Sequence, residues 1–117
     1  MGRLTTHVLD TASGRPGAGM RVRLYRGNGG DYTLLREIVT NADGRGDAPL
    51  LEGNAFAEGR YRLVFSAGAY FAGQGVALPD PPFVEDVAVD FGVADSAAHY
   101  HVPLLVSPWS YAIYRGS

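Results

Sequence analysis

Residues 99–106 read His-Tyr-His-Val-Pro-Leu-Leu-Val, a run in which apolar side chains recur with a period of two. Apolar residues fall at positions 100, 102, 104 and 106, while His99 and His101 lie between them at the start of the run. Successive side chains of a β-strand point to opposite faces, so this alternation is typical of a strand with one buried face. We therefore predict a strand whose inner face joins a core and whose outer face carries two histidines.

The same period of two recurs along most of the chain. Extended segments are predicted at residues 4–10, 21–26, 60–66, 85–93 and 109–114, with a less regular one at 32–40. Clusters of Gly, Pro, Asn and Asp separate these segments and supply the backbone conformations that tight turns require. Helical patterning is weak, and residues 68–76 suit at most one short helix. Seven or eight short strands at regular spacing predict an all-β sandwich.

The composition indicates a single globular domain spanning residues 1–117. Apolar residues make up 46% and charged residues 19%, so extensive disorder is not expected. The absence of Cys excludes a disulfide framework, thiolate zinc sites and cysteine nucleophiles. A net charge of −2 disfavours nucleic acid or an anionic membrane as a partner. Neither a run of roughly 20 apolar residues nor a secretion signal is recognisable, so we expect a cytoplasmic protein.

Three histidines are the most prominent candidates for acid–base chemistry. His7 lies opposite the apolar face of its predicted strand, as His99 and His101 do on theirs. Tyr114 likewise lies opposite a predicted inner face of the last strand, which consists of Trp109, Tyr111 and Ile113. If these strands are neighbours in one sheet, their outward polar groups form a single patch.

Each of these residues also has a simpler interpretation. An outward histidine on a strand is often only a solvated side chain. A His-x-His pair with a third histidine is also a common ligand set for zinc in hydrolases. Arg45 follows the turn at residues 41–44 and is either a solvated loop cation or a planar fork for an anionic or carbonyl-rich ligand. The pattern alone leaves these alternatives open.

Three blocks of sequence resemble the transthyretin-like 5-hydroxyisourate hydrolases. The first is Leu-Thr-Thr-His-Val-Leu-Asp-Thr at 4–11, followed by Gly-Arg-Pro at 14–16, and the second is Thr-Asn-Ala-Asp-Gly-Arg at 40–45. The third runs from residue 99 to Ser-Pro at 107–108 and ends in Tyr-Arg-Gly-Ser at 114–117. That ending distinguishes the hydrolases from the hormone-carrying transthyretins. Ala112-Ile113 replaces the Ser-Thr that is more usual in the family.

The resemblance implies a sandwich of two four-stranded sheets, assembled as a dimer of dimers. It implies hydrolysis of 5-hydroxyisourate to 2-oxo-4-hydroxy-4-carboxy-5-ureidoimidazoline without a cofactor, in a channel where two dimers meet. Carried over by position, the catalytic residues are His7, Arg45, His101 and Ser117, and the substrate-binding residues are His7, Arg45 and Tyr114. His99 is expected to play a supporting role. The alternative function is that of a transthyretin-type carrier for a small aromatic ligand.

Overall fold

The computed structural model describes residues 1–116 and shows nine strands, one α-helix and one 3-10 turn in that range. The strands are β1 (Arg3–Asp10), β2 (Arg15–Pro16), β3 (Arg21–Asn28), β4 (Asp31–Val39), β5 (Leu51–Glu52), β6 (Gly59–Phe65), β7 (Val87–Val93), β8 (His99–Val106) and β9 (Tyr111–Ile113). The helix α1 covers Ala67–Gly73, and the 3-10 turn covers Gly53–Ala55. The predicted sandwich with one short helix is confirmed.

The strands form two sheets. The first sheet has the order β2-β1-β8-β9, and the short β5 also pairs with β1. The second has the order β4-β3-β6-β7. With β5 the first sheet has five strands, one more than the four expected. Strands β1 and β8 pair in parallel, with Thr5 opposite His101 and His7 opposite Pro103, whereas the other strand pairs are antiparallel.

The core lies between the two sheets and is built from the alternating apolar positions. In β1, Leu4 and Val8 are fully buried, and in β8 Leu104 is fully buried. The facing side chains of the second sheet include Val22, Leu24, Tyr61, Leu63 and Phe65. Because a strand changes face at each residue, burial of these side chains places the residues between them on the outer faces. The histidines of β1 and β8 are therefore held on the outside of the first sheet.

Helix α1 is attached to β1 by a buried polar contact. The Tyr70 hydroxyl donates to Oδ2 of Asp10 at 2.9 Å, and Oδ1 of Asp10 accepts from the backbone N–H of Ala12 at 2.9 Å. Burial, reinforced by the bond to Asp10, raises the pKa of Tyr70 to about 12. The hydroxyl therefore remains a donor, and it fixes the end of β1. Within residues 1–116, no helix is long and apolar enough to cross a membrane.

The last strand differs from its prediction. Trp109 and Tyr111, expected on the inner face, are 59% and 53% exposed, and Ile113 alone of the three packs against the core. The reason is that residues 107–110 form a turn, in which the backbone N–H of Trp109 donates to Oγ of Ser107 at 3.2 Å. The alternation is broken there, and Tyr111 begins a three-residue strand at the sheet edge.

Candidate active site

His7 and His101 lie side by side on the outer face of the first sheet, where the alternation predicts them. Their strands β1 and β8 are parallel neighbours, and the two ring centroids are 6.5 Å apart with the planes inclined by 28°. Both side chains are half-buried. Two imidazoles at this separation can serve one bound molecule placed between or above them.

Thr5 connects the two histidines of β8. Its Oγ1 lies 2.8 Å from Nε2 of His99 and 2.8 Å from Nδ1 of His101. Thr5 occupies the same face of β1 as His7, two residues before it, and its register partner in β8 is His101. His101 therefore has one ring nitrogen engaged by Thr5, and its Nε2 is the nitrogen left for a ligand.

Arg45 is brought to β1 by the turn that precedes it. The side-chain oxygen of Asn41 accepts the backbone N–H of Asp43 at 2.9 Å and that of Arg45 at 3.1 Å. Gly44 has φ +74 and its carbonyl accepts the backbone N–H of Val8 at 2.8 Å. A Cβ at position 44 would lie 2.4 Å from the Val8 carbonyl oxygen, so the turn requires glycine. This contact makes residue 45 the bridge partner of His7.

The C-terminal segment closes over His101. The backbone N–H of Gly116 donates to the His101 carbonyl at 2.7 Å, and a Cβ at 116 would lie 2.9 Å from Cδ2 of the imidazole. The Arg115 guanidinium lies 3.9 Å above the Tyr100 ring and donates to the His99 carbonyl at 3.3 Å. Glycine at 116 thus allows the backbone to approach the imidazole closely.

One predicted site residue, Tyr114, is not brought into this cluster by the structure. Tyr114 is 55% exposed, and its hydroxyl has no hydrogen bond within residues 1–116. Ser117 lies outside the described residues. Their roles at the site stay predictions.

A cavity of about 360 Å³ opens beside the cluster. Its lining includes the side chains of Arg3, Thr5, Arg45, His99 and His101 and the segment 46–50. Sequence reasoning did not identify Arg3 or segment 46–50 as part of the site. Arg3 could have been found, because it is two and four residues from Thr5 and His7 and so shares their face of β1. Segment 46–50 has no comparable periodic signal.

The electrostatics of the site favour neutral histidines. Burial and the charge of Arg45 lower the pKa of His7, against a hydrogen bond to the backbone of Asp43 that raises it. Burial, then Arg45 and the two other histidines, lower the pKa of His101. Desolvation, with Arg3 and Arg115, lowers the pKa of His99. The three imidazoles are therefore mostly neutral at pH 7 and able to accept a proton.

The cations of the site have no acidic partners in the described part of the chain. Within residues 1–116, neither Arg3 nor Arg45 forms a salt bridge. A guanidinium group that has no salt bridge can bind carbonyl or carboxylate oxygens of a ligand through two parallel N–H donors. The arrangement suits a small molecule rich in oxygens that is to be attacked by water.

The zinc hypothesis needs at least three ligands directed at one point. Across residues 1–116, no three His, Cys, Asp or Glu side chains lie close enough to hold a metal ion. Thr5 also engages one nitrogen each of His99 and His101. The described residues thus offer acid–base groups rather than an assembled ligand set.

Comparisons with known proteins agree with this geometry. A family model described as HIUase/Transthyretin family matches residues 4–116. The 5-hydroxyisourate hydrolase 2 of Rhizobium meliloti is 60% identical over 116 residues, covering 99% of this chain and 97% of that protein. A solved (S)-allantoin synthase is 45% identical with a TM-score of 0.93, over 99% of this chain and 44% of that chain. Sea bream transthyretin, solved in complex with thyroxine, is 29% identical with a TM-score of 0.87, over 97% of this chain and 94% of that chain.

Proposed function

The chain belongs to the HIUase/transthyretin family, and from this premise we propose that it hydrolyses 5-hydroxyisourate in urate degradation. The observation that carries the proposal is the convergence of His7 with His101 and Arg45, the last two of which line one cavity. These residue types match the needs of the reaction, which opens a ring at a carbonyl. The resemblance seen in the sequence is confirmed at the level of the family.

The hydrolysis needs a nucleophilic water and a proton for the leaving nitrogen. A neutral imidazole can take a proton from water and later return one. We assign these tasks to His7 and His101, whose lowered pKa values keep them neutral and whose rings stand 6.5 Å apart. The product is 2-oxo-4-hydroxy-4-carboxy-5-ureidoimidazoline, in which the attacked carbonyl has become the carboxyl group.

Arg45 is proposed to hold the substrate oxygens and to stabilise the negative charge that develops on the attacked carbonyl. Its position beside His7 and on the cavity wall supports this role. A fixed donor aimed at developing charge acts more strongly in a site from which water is excluded. Tyr114 is proposed to bind the planar substrate and Ser117 to orient the water, because both belong to the family's terminal motif. No cofactor is part of this proposal.

A carrier function is the second candidate, because the fold is shared with a thyroxine-binding transthyretin. Identity to that carrier is 29%, against 60% to the hydrolase of Rhizobium meliloti. The cavity also presents two arginines and two histidines, whereas ligand pockets are generally lined mainly by apolar side chains. The hydrolase is therefore the function that the site supports best.

The assembly is proposed to be a tetramer formed by two dimers, with the site in a channel between them. Trp109 and Tyr111 support this, since both are more than half exposed near the edge of the first sheet. A partner copy would cover them and exclude water from the cavity, which would strengthen the electrostatics there. Sedimentation tests this: full specific activity from a monomer would contradict it. We further propose that residues 1–117 act as one domain, in the cytoplasm.

The direct test of function is an ultraviolet assay in which urate oxidase generates 5-hydroxyisourate and this protein is then added. Faster decay of the intermediate's absorbance is expected, in proportion to the protein added. Decay at the spontaneous rate would overturn the proposal. Saturable binding of a small aromatic ligand without such acceleration would favour the carrier.

A further inference from the structure

Within residues 1–116, Thr5 has the one hydroxyl that lies within hydrogen-bond distance of two of the three histidines, and it can donate only one proton. Its Oγ1 is 2.8 Å from both Nε2 of His99 and Nδ1 of His101. A hydroxyl donates one hydrogen bond and accepts through its lone pairs. If Thr5 donates to His99, it must accept from Nδ1–H of His101, and the reverse holds as well. The protonation of one imidazole therefore fixes the tautomer of the other.

We propose that His101, Thr5 and His99 form a proton relay in which His99 holds, for part of each turnover, the charge that His101 takes from water. The inference rests on the proposed hydrolysis and adds two positioning residues to it. Its starting state has Nδ1–H of His101 donating to Thr5, the Thr5 hydroxyl donating to Nε2 of His99, and Nε2 of His101 free for water.

The number of protons on the three relay residues is the same at the start and at the end of one turnover. In the first step an O–H bond of water breaks, and its proton forms an N–H bond at Nε2 of His101. The proton on Nδ1 of His101 moves to Thr5, while the hydroxyl proton of Thr5 moves to Nε2 of His99. His99 is then an imidazolium, and His101 is neutral with its proton facing the substrate. When His101 gives that proton to the leaving nitrogen, the two relay protons return, and all three residues regain their starting state.

The surroundings of the two histidines explain why the charge should move. An imidazolium at His101 would stand beside Arg45 and His7, in a half-buried position. Within residues 1–116 no carboxylate hydrogen-bonds to His101 and offsets that charge. His99 is exposed, so water can solvate its charge there, although Arg3 and Arg115 are nearby. Moving the proton by two hydrogen bonds takes the charge away from the reacting centre.

Three substitutions test the relay in the full-length protein. Thr5→Val removes the hydroxyl at nearly constant shape, and we expect kcat to fall about 10- to 100-fold with KM changed less than about threefold. Thr5→Ser keeps the hydroxyl and should stay within about threefold of the parent. His99→Gln can still hydrogen-bond to Thr5 but cannot hold a proton, and it should lose as much kcat as Thr5→Val. The double variant Thr5→Val/His99→Gln should lose no more than either single one.

Thr11→Val is the matched control, because Thr11 directly follows β1 and its Oγ1 also donates to β8, to the Val106 carbonyl at 3.1 Å. We expect its kcat to stay near that of the parent. A merely structural role for Thr5 predicts a normal kcat for His99→Gln, and that result would overturn the relay. Should Thr5→Val fail to fold, Thr5→Ser and His99→Gln at the exposed position still decide the question.

The parent protein provides an independent measurement. Nitrogen-15 NMR of the neutral histidines should find a proton on Nδ1 of His101 and none on Nε2 of His99. The reverse arrangement, protons on both nitrogens, or protons on neither would overturn the relay. Failure of the proposed function is distinguishable, since the parent itself would then not accelerate the decay of 5-hydroxyisourate.

Discussion

The outer faces of the two sheets carry similar residues in opposite circumstances. On the second sheet, Arg62 donates to both carboxylate oxygens of Asp90, at 2.6 and 3.0 Å, and its guanidinium lies 3.8 Å from the centre of the Tyr32 ring. On the first sheet, Arg45 has no salt bridge within residues 1–116 and stands on the wall of a cavity. Both arginines are outward cations of a sandwich, yet within residues 1–116 only Arg62 has a carboxylate partner.

The difference teaches how to separate structural from functional charges. A bidentate pair such as Arg62–Asp90 satisfies its own donors and acceptors, so it has little left to offer a ligand. On the first sheet, Arg3, Arg45 and His101 line a concave space, and neither arginine forms a salt bridge within residues 1–116. The function is therefore inferred from charges that line a cavity and form no salt bridge within residues 1–116.

The largest expected effect comes from removing the base on the first sheet. His101→Gln should lower kcat about 10²- to 10⁴-fold, the usual contribution of general acid–base catalysis. Asp90→Asn on the second sheet is the control and should leave kcat nearly unchanged. The ultraviolet assay measures both. An equal loss of kcat in the two variants would contradict the distinction between the two outer faces.

A conservative change of the two arginines sharpens the comparison next. Arg45→Lys should reduce kcat/KM about 10²- to 10³-fold, because an ammonium cannot present two parallel donors to substrate oxygens. Arg62→Lys keeps its charge beside Asp90 and should leave activity near the parent value. If Arg45→Lys stays within a few-fold of the parent, Arg45 is only a loop cation.

The two faces should also titrate in different ranges of pH. The pKa values of His7 and His101 are lowered from 6.5, so activity should be full at pH 7 and fall about tenfold per pH unit below those lowered values. The unfolded chain binds protons there that the folded chain does not, so these histidines also make the free energy of unfolding fall on acidification below 6.5.

On the second sheet, Arg62 lowers the pKa of Asp90 from 3.8. Its contribution to stability is present above 3.8 and is lost as the pH falls through the lowered value. A pH profile of kcat/KM beside one of thermal unfolding separates the two ranges. An activity that rose on acidification below 6.5 would contradict the role of neutral histidines.

The smallest expected effect is that of a chelator. EDTA should leave activity unchanged, because the histidines of the first sheet are assigned to proton transfer. Loss of activity on chelation, with recovery on adding zinc, would instead make that face a metal site. The assay is run with and without EDTA on the same preparation.

The sandwich and the outward histidines could be predicted from alternation alone. Leu4 and Val8 are buried and His7 is not, as a period of two requires. The turn at 107–110 contains Pro108, a signal for a turn, and it ends the alternation before Trp109, so the prediction of an inward Trp109 was wrong. Alternation describes one strand at a time and fails where the strand ends.

The bridge from Thr5 to His99 and His101 could not be predicted from the sequence. It depends on β1 and β8 being parallel neighbours with Thr5 opposite His101, and on side-chain directions that no local pattern specifies. Arg45 was identified by its motif, but its contact with β1 depends on the Gly44 carbonyl meeting the Val8 N–H. The strand register and the turn contact both bring together residues that are far apart in the sequence, and a local sequence pattern does not specify either of them.

The pairing of β1 with β8 also has a consequence for how the protein is made. Thr5 and His101 are 96 residues apart, so β1 leaves the ribosome roughly 5–20 s before its partner at common rates of synthesis. Over that interval the inner face of β1 lacks β8, and contacts of such long range form late in folding. A nascent chain that is interrupted before residue 101 therefore lacks His101 and its contact with Thr5, and we expect it to be inactive. Every molecule that turns over substrate has been translated through its last strands.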